Sequence, residues 1–129
     1  MTAPAPTLDS VGQILIAVKD LERAKAFYRD ALGLRFLFEF PGMAFFDCGG
    51  VRLYLSVAET PEHDRTSILY YRVADIQAAA GSLAARGVVF VEQPAMVHRD
   101  GNRELWLAFF KDSEGNTAAL MSDRAVAQR

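Results

Sequence analysis

The second half of this chain repeats the first, and that constrains its fold more than any other feature. The run QILIAVKD, Gln13 to Asp20, returns as ILYYRVAD, Ile68 to Asp75. In both copies a β-branched and apolar run ends at an aspartate able to cap a helix. After Asp20, the residues Leu21, Ala24, Phe27, Tyr28 and Ala31 recur at three- and four-residue spacing; after Asp75, the residues Ile76, Ala79, Ala80, Leu83 and Ala84 do the same. Gly33 and Gly87 stand where a left-handed residue would end each helix. Three strand-like runs then follow in each half: 35–40, 43–48 and 51–57, then 88–92, 105–110 and 117–121. The turn dipeptides Pro41-Gly42 and Gly49-Gly50 and the segment KDSEGN, Lys111 to Asn116, separate them. The AFF of 44–46 falls on the AFF of 108–110. Agreement in order and spacing along both halves marks a duplicated unit. The expectation is one α+β domain over 12–122, made of two βαβββ modules (13–57 and 67–122) joined by a polar linker (58–66). Residues 1–11 are expected to form a mobile arm and 123–129 a tail.

Composition narrows the function classes. At 129 residues the chain can bury one core without a disulfide or a structural metal. A formal net charge of -2 offers no basic excess for a phosphate backbone, which argues against nucleic acid. No apolar run approaches the roughly 20 residues that span a bilayer, and the N-terminal segment has no leader-like pattern, so no membrane partner and a cytoplasmic address are expected. The lone Cys48 excludes an internal disulfide and fits a reducing compartment. It reads as a small packing residue rather than a nucleophile, because no local sequence activates it.

The strand ending in V-x-D, the helix with AFYRDALGL (Ala26 to Leu34), the hairpin AFFDCGGVRLYLS (Ala44 to Ser56) and the segment AFFKDSEGNTAALMS (Ala108 to Ser122) resemble the vicinal oxygen chelate superfamily. That group includes glyoxalases, bleomycin-resistance proteins and extradiol dioxygenases. The resemblance covers about residues 12 to 122. It implies a curled mixed sheet, an open barrel, around a central cleft, with the helices outside. Catalytic members hold a divalent metal with one side chain from the first strand and one from the last strand of each module. Carried onto this chain, those positions are Gln13, Tyr54, Ile68 and Ala119. Ile68 and Ala119 have no donor atom, and a neutral tyrosine hydroxyl is a poor ligand. The expectation is therefore no metal and no other cofactor.

If these positions face the cleft, period two also brings Leu15, Ala17, Arg52, Ser56, Tyr70, Arg72, Thr117 and Met121 to it, while Ile14, Ile16, Val18, Leu53, Leu55, Leu69 and Val73 pack on the helices. Gln13, Arg52, Tyr54, Tyr70, Arg72, Trp106 and Met121 are the candidate ligand-binding residues. Tyr54, Tyr70 and Met121 would equally serve as barrel filling, and Arg52 and Arg72 would equally serve in salt bridges, Glu104 among the partners. Which of Phe45 and Phe46, and which of Phe109 and Phe110, turns inward is open. His63, near Glu59, Glu62 and Asp64, and His98 lie in polar stretches where a histidine is usually solvated. His98 and Glu104 flank the turn Asp100-Gly101-Asn102 and, with Tyr54, are the catalytic candidates. The leading reading is a metal-free cleft for a small hydrophobic or amphipathic organic molecule, in a homodimer. The alternative is a glyoxalase-like lyase, an isomerase or a dioxygenase, using a displaced divalent metal or metal-free acid-base chemistry.

Overall fold

The computed structural model describes residues 11–57 and 67–125. Strands β1 (Gln13–Val18), β2 (Arg35–Phe40), β3 (Met43–Cys48) and β4 (Val51–Val57) form one sheet in the order β1-β4-β3-β2. Strands β5 (Leu69–Arg72), β6 (Val89–Asp100), β7 (Arg103–Lys111) and β8 (Thr117–Ala125) form a second in the order β5-β8-β7-β6. In each, the first and last strands of the module pair in parallel, and the other pairings are antiparallel. Both sheets stay open. This is the expected α+β arrangement of two βαβββ modules.

Each helix follows its aspartate. The Asp20 carboxylate accepts from Arg23 N at 3.1 Å at the start of α1 (Leu21–Ala26), and the Asp75 carboxylate accepts from Ala78 N at 3.0 Å at the start of α2 (Ile76–Ala85). Asp75→Ala is expected to lower stability by about 1 kcal/mol, read as a lower urea midpoint with an unchanged slope. The first module holds one residue more between its capping aspartate and its closing glycine. A π-helical turn, Phe27–Ala31, absorbs it: Leu32 N donates to Phe27 O at 3.0 Å, five residues back.

A core lies beneath each helix. Ile16, Val18, Ala24, Tyr28, Ala44, Phe46, Leu53 and Leu55 make the first, and Ile76, Ala80, Val88, Ala108, Phe110, Ala118 and Leu120 the second. Phe27, Leu32 and Tyr71 pack against both and join them. The β7–β8 turn completes the union. Its Asp112 carboxylate accepts from the Tyr28 hydroxyl at 2.7 Å and from its own turn at Glu114 N and Asn116 N. Its Asn116 amide donates to Ala17 O at 2.9 Å. Its Glu114 carboxylate receives Lys19 N at 2.8 Å, Asp20 N at 2.7 Å and the Arg23 guanidinium at 2.8 Å. The DSEGN stretch, read from sequence as a turn, is thus a clasp from the second module onto the free edge of β1.

Three expectations need correction. The strand expected at 88–92 runs to Asp100, and its partner begins at Arg103, so His98 sits on a strand and not in a loop. The sequence hides this because β6 is an edge strand exposed over most of its length, interrupted by three register shifts and containing Pro94, so no apolar alternation marks it. The strand expected at 117–121 continues to Ala125, through the start of the presumed tail. The strand expected from Ile68 to Val73 is the shorter Leu69–Arg72. The arm at 1–10, the linker at 58–66, and with it His63, Glu59, Glu62 and Asp64, lie outside the described residues. Among the described residues, no helix is long and apolar enough to cross a membrane.

Candidate functional site

Strand register decides which side chains share the face turned away from the helices. In the first sheet Gln13 lies beside Arg52, Leu15 beside Tyr54 and Ala17 beside Ser56; Phe45 is Tyr54's other neighbour, and Phe38 pairs with Phe45. The rings form a continuous shelf. Phe38 stacks on Phe45 at 4.7 Å between centroids, Phe45 stacks on Tyr54 at 4.7 Å, and Phe40 meets Phe38 edge-on at 5.6 Å. The Arg52 guanidinium lies 5.4 Å from the Phe38 ring centre and 5.7 Å from that of Phe45. That placement holds a cation at the shelf's edge by ring quadrupole attraction. The Tyr54 hydroxyl lies 2.8 Å from the Met43 sulfur. Phe46, the alternate residue, is fully buried on the helix side.

Phe38 and Phe40 were missed in the sequence because RFLFEF shows Phe36, Phe38 and Phe40 at strict alternation, which assigns all three to one face. A register shift between Phe36 and Phe38 breaks the alternation. Phe36 packs edge-on against Phe46 in the core, while Phe38 joins the shelf.

The second sheet's open face is different. Tyr70 lies beside Ala119 and Arg72 beside Met121; Phe109 also flanks Ala119 and meets Tyr70 edge-on at 5.9 Å. Phe110 is buried on the other side, so the inward ring of that pair is Phe109. The expected cleft position of Trp106 is corrected. Residues 104, 106, 108 and 110 share one face of β7, and Trp106 packs against the second core with its indole N–H donating to Glu104 at 2.9 Å. Arg124 covers the Trp106 ring at 5.0 Å, and Arg99 reaches Glu104 at 3.9 Å. His98 pairs with Leu105 and so faces the opposite side from Glu104, which removes their pairing as acid and base.

The four positions that hold a metal in chelating relatives do not fit a divalent cation here. Gln13 is exposed at the start of β1, the Tyr54 hydroxyl is engaged with a thioether, Ile68 precedes β5 with no donor atom, and Ala119 is fully buried with none. Among the described residues, no three His, Cys, Asp or Glu side chains group as a metal site.

The profile of the Glyoxalase/Bleomycin resistance protein/Dioxygenase superfamily matches residues 10–120. The chain belongs to this superfamily. Solved structures of similar fold include an antibiotic binding protein, TnmS3, from Streptomyces sp. CB03234, at 24% identity and TM-score 0.72, covering 93% of this chain and 100% of that one. Another is a lactoylglutathione lyase from Agrobacterium tumefaciens, at 22% identity and TM-score 0.68, covering 91% and 96%. A third is a superfamily member from Sphaerobacter thermophilus, at 25% identity and TM-score 0.72, covering 89% and 98%. No curated protein sequence matches the chain. Superfamily membership accounts for the duplicated module and for the two open faces. On them lie, in this chain, an aromatic shelf edged by the Arg52 guanidinium with Asp47 beside it on the first sheet, and a sparser face with Tyr70, Phe109 and Arg72 on the second.

Proposed function

We propose that this superfamily member binds a small aromatic molecule carrying an anionic group on the open face of its first sheet, without a metal. The observation that supports it is the Arg52 guanidinium set against the Phe38–Phe45–Tyr54 shelf. The stacked rings offer an apolar edge, most exposed at Phe38 and Phe40, and the guanidinium offers a fork of donors beside it for a carboxylate or sulfonate. Gln13, beside Arg52 in register, adds an amide. Tyr70, Arg72 and Met121, on the open face of the second sheet, would contact the remainder of a larger ligand. TnmS3 gives a precedent in this fold for holding a drug-like molecule.

A second copy of the chain completes the site in this reading. Leu15, Phe40 and Tyr70 are 44%, 54% and 47% exposed on open faces, and a homodimer would cover them. Cys48, the chain's single cysteine, is consistent with a reducing, cytoplasmic setting.

The test is calorimetric titration with naphthalene-2-carboxylate. Arg52→Ala is expected to raise Kd about tenfold, the scale of one charge-assisted hydrogen bond plus a cation–π contact. Equal affinity in the variant would sink the assignment. Protein purified without added metal or chelator is expected to contain far less than one equivalent of Zn, Ni, Mn or Fe by elemental analysis. Turnover of a glutathione thioester that rises with Ni or Fe and is lost in Gln13→Ala would favour the lyase reading instead.

A further inference from the structure

The open face of the first sheet is built in rows. Register sets Gln13 beside Arg52, Arg52 beside Asp47 and Asp47 beside Arg35, so a row of polar side chains crosses β1, β4, β3 and β2. The next row on the same face is Leu15, Tyr54, Phe45 and Phe38, two residues further along each regular strand, with the register shift in β2 carrying Phe38 into it. Charge and ring surface therefore stand side by side.

Asp47 is the unusual member of the polar row. It is half-buried between two arginines, yet among the described residues it makes no ion pair with either. One carboxylate oxygen accepts from Gly50 N at 3.2 Å, which fastens the side chain to the β3–β4 turn. The other oxygen accepts from no described donor. The Arg52 guanidinium lies instead over the Phe38 and Phe45 rings, and Arg35 is exposed. Opposite charges directly across two strands have Cβ atoms about 4.5 to 5.5 Å apart and can close on each other. This pair stays open, its carboxylate held by a turn and its guanidinium by rings.

We infer that the ligand of this face is zwitterionic, an aromatic α-amino acid, with its ammonium on Asp47 and its carboxylate on Arg52 and Gln13. The inference rests on the Arg52 shelf as the binding site and narrows what that shelf takes. Such a molecule carries both charges on one carbon and its ring on a short stem, which matches a charged row beside an aromatic one. The ammonium donates to the free Asp47 oxygen, and the planar guanidinium donates to the carboxylate. Arg35 leaves the row with two cations to one anion, so the row still draws in an acid. An aromatic acid without an amine sets its carboxylate beside that of Asp47, with no cation of its own to offset the repulsion.

The experiment is calorimetric titration of the protein with 3-(2-naphthyl)alanine and 3-(2-naphthyl)propionate, which share ring and stem and differ by the amine alone. The amino acid is expected to bind about fivefold more tightly than the acid, the scale of one partly exposed charge pair. Asp47→Asn keeps an oxygen that can accept from Gly50 N, and is expected to abolish that advantage. The same variant is expected to bind naphthalene-2-carboxylate about twofold more tightly, because the like charge beside its carboxylate is gone. Equal affinity of the two ligands for the wild type, or an advantage that survives in Asp47→Asn, would overturn the proposal. Loss of naphthalene-2-carboxylate binding in Asp47→Asn would also overturn it, since Asp47 would then be a support of the shelf. Propionate and amino acid bound equally well remove the zwitterion and leave the Arg52 site standing, whereas a wild type that binds none of the three removes both.

Discussion

Glu114→Ala is expected to destabilise the chain by about 3 kcal/mol, or roughly 10 °C in Tm, although residue 114 sits in a turn. The Glu114 side chain is only 1% exposed, and it accepts from two backbone amides of the opposite module, from Arg23 and from Ser113. Truncation removes the common acceptor of Lys19 N, Asp20 N and the Arg23 guanidinium, and bonds to an ionised group are worth about 1.5 to 3 kcal/mol each. Glu114→Gln keeps one acceptor oxygen and is expected to fall between. The same carboxylate sets an acid limit. Burial alone would raise its pKa, but the Arg23 guanidinium and the Asp20 and Lys19 amides outweigh burial and hold it at about 2. A depressed carboxylate stabilises the fold fully above its ordinary value near 4.5, and loses that contribution as pH falls toward 2. The shift corresponds to on the order of 3 kcal/mol. Thermal scans between pH 6 and pH 2 are therefore expected to show Tm falling more steeply in the wild type than in Glu114→Ala. Parallel curves would show that Glu114 is not the group responsible.

Phe45 and Phe46 are adjacent, and their alanine variants are expected to fail in different ways. Phe46 is fully buried among Tyr28, Phe36 and the first core, so Phe46→Ala opens a sealed cavity and is expected to cost about 4 kcal/mol. Phe45 lies on the open side between Phe38 and Tyr54. Phe45 is itself only 7% exposed, so removing it also costs stability, about 3 kcal/mol, and in addition it breaks the shelf in the middle. Naphthalene-2-carboxylate binding is expected to vanish in Phe45→Ala and to survive in Phe46→Ala at temperatures where that chain stays folded. Urea melts paired with calorimetry separate the two, and equal losses of binding in the folded variants would contradict the assignment of faces.

The pair also shows where the sequence stops being legible. Its two-residue alternation says that one ring points each way, and only β3's pairing with β4 says which. The modules themselves were readable because a duplicated pattern checks itself: Asp20 against Asp75 and Gly33 against Gly87 each predicted the other's role. Gln13, Arg52 and Tyr54 could be placed on a common face for the same reason, since β1 and β4 are regular. Phe38 could not, because the register shift after Phe36 resets the alternation, and nothing in RFLFEF announces it. Trp106 and Glu104 were misplaced by a different cause. β7 extends further than its apolar run, so the parity of its first residues could not be anchored from Phe109 or Phe110 until one of those was known to be buried. The clasp was legible only as a turn, because its partners Lys19, Asp20 and Arg23 lie more than 90 residues away in the chain.

That distance bears on how the chain is made. By residue 57 a ribosome has synthesised all four strands of the first module, with its core residues in place, yet the outer edge of β1 has no cover until Glu114 and Asn116 emerge. For the time needed to translate roughly sixty further residues, several seconds at ordinary rates of about 5 to 20 residues per second, a nearly finished half-protein presents an open strand edge to other nascent chains.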